Sequence, residues 1–337
     1  MQKFIGVDLH KKTIVICVVN QAYRVLERRR FACGETEAIA AWFAGQGSFE
    51  VVVEATANYE WFVQLVEGHA RRVVLAHPGK LRVIAESTRK NDQIDAHVLA
   101  DFLARGMIPA AYRPTPRQRE HRRLVRHRYQ MQGRITSLKC RIRHILSDYN
   151  ADRRDVFTRE GRAYAAGLKL LAADRFVLEE LWLSLEHYEQ RLAAADKALR
   201  EFARRDPPAE KRTRRLLNSI SGVGVVTSDV FLAETADVRR FGSQKKLTAY
   251  AGLAPGQRES AGKRKDLGIT HRGSRLLRWV LVQAAWQLVR RDGHWQRIFE
   301  ALVKRRGKKK AIVAVARRLL CLMMALVVSD RPYQQAA

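Results

Sequence analysis

Four carboxylates in the first hundred residues stand where an acid is costly or conspicuous. Asp8 interrupts the apolar run Phe4-Ile5-Gly6-Val7-Asp8-Leu9, and Glu54 closes the run Phe49-Glu50-Val51-Val52-Val53-Glu54. Desolvation penalises an acid in such a strand unless it is paired or binds a cation. Asp92 and Asp95, in Arg89-Lys90-Asn91-Asp92-Gln93-Ile94-Asp95-Ala96, are three apart and share one face if the segment is helical. Four converging acids repel one another as anions, and a divalent cation relieves that repulsion. Mg²⁺ suits an all-oxygen donor set, and two such ions can clamp a phosphodiester, activating the attacking oxygen and stabilising the leaving one. Taken singly, Asp8 could open a hairpin turn, Glu54 could cap a strand edge, and Asp92 with Asp95 could enrich a helix first turn. Glu60, Glu86 and Asp101 read as surface residues.

The elements that must hold these acids are short and alternate in type. Phe4–Leu9 and Thr13–Val19 are apolar, β-branched runs joined by the polar His10-Lys11-Lys12, which predicts a hairpin. Tyr23–Cys33 is a candidate third strand. Glu35–Gly45 has Ile39, Trp42 and Phe43 on one side and reads as a helix. Phe49–Glu54 reads as a buried strand, Asn58 as an N-cap, Tyr59–Gly68 as a second helix and Arg72–Ala76 as a further strand. This is a mixed α/β domain.

Charge divides the 337-residue chain, whose net is +29. Residues 1–112 carry 14 basic and 12 acidic side chains, residues 113–215 carry 26 and 14, and residues 216–337 carry 23 and 8. A near-neutral first third followed by strongly basic remainders points to a polyanionic partner and separates chemistry from nucleic-acid grip. Cys17, Cys33, Cys140 and Cys321 show no CxxC spacing, which argues against zinc and against a disulfide framework. The longest apolar runs are cut by charges and the opening lacks a signal-peptide pattern, so no membrane span and a cytoplasmic location are expected.

In the middle third, Met131, Ile135, Leu138, Ile142 and Ile145 recur at spacings of four and three, and Leu178, Leu181, Leu185, Tyr188, Leu192, Ala195, Leu199 and Phe202 continue the beat. This is coiled-coil periodicity. The two helices either fold back as an antiparallel arm or pair with another subunit. Arg113–Arg143 holds eleven basic residues and one acid, Glu120, so this first helix is expected to lie along phosphate. After Pro207-Pro208, Ile220-Ser221-Gly222-Val223-Gly224-Val225 between helical segments resembles a helix-hairpin-helix turn, whose glycines let backbone amides approach phosphate. A helix end followed by a new helix start is the plainer reading. Helices are expected at 243–251 and 274–289, with a Gly-, Lys- and Arg-rich loop over 255–273 between them. Lys304–Lys310 has six basic residues in seven positions, and 311–328 reads as a buried or amphipathic helix.

Asp on a first strand, Glu on a central strand and Asp-x-x-Asp on a helix resemble the RuvC-like branch of the ribonuclease H fold. Together with the helical arm, Ile220–Gly224, Leu247-Thr248-Ala249-Tyr250-Ala251-Gly252-Leu253-Ala254-Pro255 and Gly268-Ile269-Thr270-His271-Arg272-Gly273, the chain resembles the DEDD transposases of bacterial insertion sequences, relatives of the Piv DNA invertases. The resemblance covers nearly the whole chain. It implies an α/β plus all-α architecture: a RuvC-like catalytic domain (1–112), a basic coiled-coil arm (113–210) and a helical C-terminal transposase domain (211–337) with a helix-hairpin-helix-like element. It also implies a serine in the C-terminal domain that attacks DNA and forms a phosphoserine link. The motif places that serine in Glu259-Ser260-Ala261-Gly262-Lys263, so Ser260, among Arg258, Lys263, Arg264 and Lys265, is the candidate. Cations there suit a phosphate centre. A surface-loop serine is the plainer reading, and Ser274, a candidate N-cap, is the rival.

What the resemblance implies is a DNA recombinase working with Mg²⁺ held by Asp8, Glu54, Asp92 and Asp95. Members of the family act as dimers or tetramers and use a structured guide RNA encoded by the element. A RuvC-like nuclease cutting branched DNA with metal-activated water is the alternative, and it needs no serine. A non-catalytic nucleic-acid scaffold is a third reading, disfavoured by the four acids.

Overall fold

The computed structural model describes residues 2–56, 58–84, 92–260 and 263–334, without the side chains of 82–84, 92, 93, 257–260 and 263–266. The chain divides into two compact units, Met1–Arg113 and Pro114–Ala337.

The first unit is built on a five-stranded mixed sheet. Its elements are β1 (Lys3–Leu9), β2 (Thr13–Asn20), β3 (Val25–Ala32), α1 (Thr36–Ala44), β4 (Phe49–Glu54), α2 (Tyr59–Val66), β5 (Arg72–Ala76), α3 (Pro78–Ile84) and α4 (Asp92–Ala104). The strand order is β3-β2-β1-β4-β5, antiparallel on the β3 side and parallel from β1 through β5. Alternation sorts the side chains. Ile5, Val7, Ile14, Ile16, Val51 and Val53 face a core with Ile39 and Phe43 of α1 and Phe62 and Val63 of α2. The opposite face carries Val15, Cys17, Val19 and Val52, covered by Ala96, Leu99, Ala100 and Leu103 of α4. Asn58 stands just before α2 but its side chain makes no capping hydrogen bond. Of the two edge strands, β3 is almost entirely exposed. Residues beyond α4 return along β5, with Ala76 bridged to Ala110 and the Ala111 amide donating to the Leu75 carbonyl at 2.7 Å.

The second unit is mostly helical: α5 (Pro116–Asp148), α6 (Arg159–Gly167), α7 (Ala172–Arg204), α8 (Pro208–Asn218), α9 (Val225–Thr235), a 3₁₀ turn at Val238–Phe241, α10 (Gln244–Tyr250), β6 (Pro255–Ser260), β7 (Lys263–Ile269), α11 (Arg275–Arg291), α12 (Gly293–Arg306) and α13 (Lys308–Ser329). The two 33-residue helices α5 and α7 pack on each other within one chain, burying Ile135, Leu138, Ile142 and Leu146 against Leu178, Leu181 and Leu185. Thr115 starts α5 with a capping box to Gln118. A second core joins α8, α9, α11 and α13 around Leu217, Phe231, Leu281 and Leu319. Among the described residues α13 alone is long and apolar enough to cross a membrane, and Ala311, Val315, Leu319 and Met323 of this helix are buried in that core. The segment expected as a loop over 255–273 contains the antiparallel β6–β7 hairpin.

Candidate functional site

On β1, residues 4, 6 and 8 turn away from the α1–α2 core, so Gly6 and Asp8 share the face covered by α4. A Cβ on Gly6 would lie 2.1 Å from the Ala96 carbonyl oxygen and 2.4 Å from the Ala100 amide nitrogen. Only glycine lets α4 lie this close to the strand. Just past the end of α4, the Arg105 guanidinium stacks 4.0 Å over the Tyr23 ring, in the β2–β3 turn next to the Lys3 end of β1. The helix therefore runs opposite to β1, and its first turn, bearing Asp92 and Asp95, lies toward the Asp8 end.

Glu54 reaches the same end from the neighbouring strand. The parallel register pairs Val7 with Val53, so Asp8 and Glu54 are the next positions along. With Val51 and Val53 in the opposite core, alternation turns Glu54 to the α4 face alongside Val52. Both acids are only partly buried; the Asp8 side chain is 16% exposed and its Oδ2 lies 3.0 Å from His10 Nε2. On α4, Asp92 is the first helical residue, four positions before the buried Ala96, whereas Asp95 is exposed. The Asp92 side chain lies outside the described residues, and among those described no three acids, histidines or cysteines are close enough to hold a metal ion. Asp8 and Glu54, all-oxygen donors on one sheet face, nevertheless have the chemistry a hard divalent cation requires. His10 was not singled out in the sequence; Asp-x-His at a strand end was its signal.

Ser260 is the last residue of β6, in register with Lys263, while Glu259 faces Arg264 and Arg258 faces Lys265 across the hairpin. The serine thus sits at a hairpin tip flanked by cations along the backbone; its side chain lies outside the described residues. At the hairpin root, Thr270 donates to the Ala254 carbonyl at 3.0 Å and His271 to the Gly252 carbonyl at 3.2 Å. Gly252 and Gly273 have φ of +68° and +90°, and a Cβ on either would come within 1.9 Å of a carbonyl oxygen of the facing segment. The hydroxyl of the rival, Ser274, accepts from the Leu277 amide at 3.2 Å and caps α11.

The basic charge is distributed differently from the expectation for α5. Arg117 binds Asp206 and Glu210, Arg126 binds Glu234, Arg128 binds Asp196, Lys139 binds Glu189 and Arg143 binds Asp152. Arg122 donates to the Ala233 carbonyl at the end of α9. These cations are paired within the unit, so much of α5 is an internal staple, while Arg123, Arg134 and Arg141 stay exposed on it. Burial works against the Arg214 guanidinium, but Asp229 and Asp206, at 2.6 and 2.9 Å, outweigh it and hold its pKa above the ordinary value. At the α12–α13 junction the opposite holds. Lys304, Arg305, Arg306, Lys308, Lys309 and Lys310 are all exposed, with no acidic partner among the described residues. That elbow is a dense patch of uncompensated charge among the described residues of the second unit.

Both units match known families. Residues 5–151 match a family of DEDD transposases of the IS110 type, and residues 214–300 match the family described as transposase IS116/IS110/IS902. The transposase for insertion sequence element IS1111A of Coxiella burnetii is 25% identical over 99% of this chain and 92% of its own length. A probable family 20 transposase of Pseudomonas aeruginosa is 26% identical over 98% of both chains, and the pilin gene-inverting protein of Moraxella bovis is 24% identical over 98% of both.

Proposed function

Because the chain belongs to the DEDD-type insertion-sequence transposases, a family with relatives among DNA-inverting proteins, and is a DNA transposase/recombinase, we propose that it exchanges DNA strands through a covalent link to Ser260. The observation that carries the reading is the placement of Asp8 and Glu54 at adjacent register positions on one sheet face, toward the first turn of α4 with Asp92 and Asp95.

In this reading Asp8, Glu54, Asp92 and Asp95 hold Mg²⁺, which when bound supplies charge neutralisation at the phosphodiester. The Ser260 hydroxyl loses its proton and Oγ attacks phosphorus. An Oγ–P bond forms as the bond to one deoxyribose oxygen breaks, and that oxygen leaves as a hydroxyl. A hydroxyl of a second DNA end then attacks the phosphoserine, releasing the serine and restoring a phosphodiester, so the bond energy is conserved. The cations of the hairpin, Arg258, Lys263, Arg264 and Lys265, offset phosphate charge around the reacting centre. The α8–α9 turn at Gly222 serves as a helix-hairpin-helix contact to backbone phosphate, and the α5–α7 pair as a coiled-coil arm. A dimer or tetramer brings acidic units and serine hairpins together on DNA in the cytoplasm, and an element-encoded RNA selects the target and donor.

The test is a denaturing gel of protein incubated with labelled element-end DNA. Wild type should yield a protein–DNA adduct that maps by peptide digest to Glu259–Lys263, and Ser260→Ala should yield none while still binding DNA. An adduct surviving in Ser260→Ala overturns the serine assignment; strand cleavage without any adduct in wild type points to the water-activated nuclease instead.

A further inference from the structure

At the root of the β6–β7 hairpin, where Ile269 packs on the helical core, one side chain bridges both legs. Arg278, in the first turn of α11, extends back to the hairpin root, where its Nη1 lies 3.0 Å from the Ala251 carbonyl oxygen, 3.2 Å from that of Arg272 and 3.2 Å from that of Gly273. Ala251 precedes the hairpin and Arg272 and Gly273 follow it, so one amino group joins both of its legs. The legs are as close as backbone permits. A Cβ at Gly252 would fall 1.9 Å from the Arg272 oxygen and 2.7 Å from Arg278 Nη1, and one at Gly273 would fall 1.9 Å from the Tyr250 oxygen. Behind Arg278 the helix is fixed: Leu277 and Leu281 are fully buried and Ser274 caps the first turn.

The partners converge on one nitrogen from both sides of the hairpin. Burial, and then the nearby Arg275, push the Arg278 guanidinium below its ordinary pKa, yet the three acceptors at Nη1 are all carbonyls and none is a carboxylate. A carboxylate would fix the side chain to one partner. Three carbonyls from two separate strands of chain make the guanidinium a clamp on their relative position.

We infer that Arg278 is the positioning residue of the serine hairpin, setting the direction in which Ser260 leaves the helical core. The inference rests on the serine reading for its consequence in catalysis, while the clamp itself is a statement about the hairpin root. Misplacing a reacting group by about 1 Å can cost about 100-fold in rate, and a hairpin amplifies at its tip any change of angle at its root.

The experiment combines amide hydrogen exchange with single-turnover adduct formation in Arg278→Met and Arg278→Lys. In Arg278→Met the Thr270 and His271 amides should exchange at least about tenfold faster while α11 core amides are unchanged, the signature of local opening. Adduct formation should fall about 100-fold with duplex affinity essentially unaltered. Arg278→Lys keeps an ammonium donor on a shorter stem and should recover part of both. If Arg278→Met unfolds the unit, the Lys variant decides alone: intermediate exchange at residues 270 and 271 supports the clamp. Wild-type exchange at these amides in the folded Met variant, or in the Lys variant where only that one folds, overturns it, as does a Lys variant no better than a folded Met variant. Ser260→Ala, measured alongside, separates the two ideas. If it still forms adduct, the serine reading fails, and the exchange data still decide the clamp.

Discussion

Gly6 of β1 and Ala96 of α4 meet so closely that a methyl group on the glycine would sit 2.1 Å from the alanine's carbonyl oxygen. This approach sets the height of α4 above the sheet and so the position of Asp92 and Asp95 relative to Asp8. Gly6→Ala should push the helix off the strand, lowering stability by about 2 kcal/mol, the usual cost of overpacking. Strand cleavage should fall further than that loss explains. Chemical denaturation together with a cleavage assay at a temperature where the variant stays folded checks this; a stable variant with full cleavage would show that α4 height is irrelevant.

Asp8→Asn and Glu54→Gln each replace one acid by a neutral isostere. Each should reduce strand cleavage by at least about 100-fold, a loss of roughly 2.7 kcal/mol of transition-state stabilisation. Melting temperature and DNA affinity should stay near wild type, because neither acid is a core residue. Parallel cleavage, thermal and binding curves read the outcome, and full activity in both variants would remove the acidic face from the mechanism.

Nucleic-acid affinity should depend steeply on salt, and the elbow should contribute more of that slope than α5. Replacing Lys308, Lys309 and Lys310 with Gln removes three exposed charges, so the log–log slope should flatten by up to about three. Arg126→Gln, which loses a partner of the buried Glu234, should instead lower stability and leave the slope nearly unchanged. Fluorescence titrations at several salt concentrations distinguish the two, and equal slope changes would contradict the division of labour.

Asp206 has no exposed side-chain surface and holds both Arg117 and Arg214. Arg214 also reaches Asp229, which pairs with the buried His121. Asp206→Ala takes one partner from each of two guanidinium groups, leaving Arg117 with Glu210 and Arg214 with Asp229, and should destabilise the second unit by about 3 kcal/mol. Urea unfolding measures the loss; a change under about 1 kcal/mol would show that the network is solvated.

The strands of the first unit are legible because they are short apolar runs rich in β-branched residues: the expected Phe49–Glu54 and Arg72–Ala76 coincide with β4 and β5. The hairpin at 255–269 was read as loop because Arg258, Lys263, Arg264, Lys265 and its glycines give no apolar period. Its pairing is set at the root by Gly252, Gly273 and Arg278, residues brought together only by the fold. Likewise the basic run on α5 predicted a phosphate track. The acids that neutralise it, such as Asp196, Asp206 and Glu234, lie 68 to 108 positions further on, beyond any local pattern. Asp92 and Asp95 show the limit of spacing as a guide: three residues apart, they share a helix turn, yet Asp95 lies on an exposed flank of the helix.

The two margins of the first unit's sheet are closed in different ways. On β3, Arg28, Arg29 and Arg30 follow one another on an exposed border, where an incoming strand would stack its own charges against three guanidinium groups. On β5, the returning segment at Ala110 and Ala111 occupies the hydrogen-bonding positions at the Leu75–Ala76 end. A sheet rich in valine and isoleucine would otherwise be a template for fibre-like growth at high local concentrations of the chain, as in the assembly proposed above. Charge on one border and a covered end on the other work against copies fusing their sheets when they crowd together.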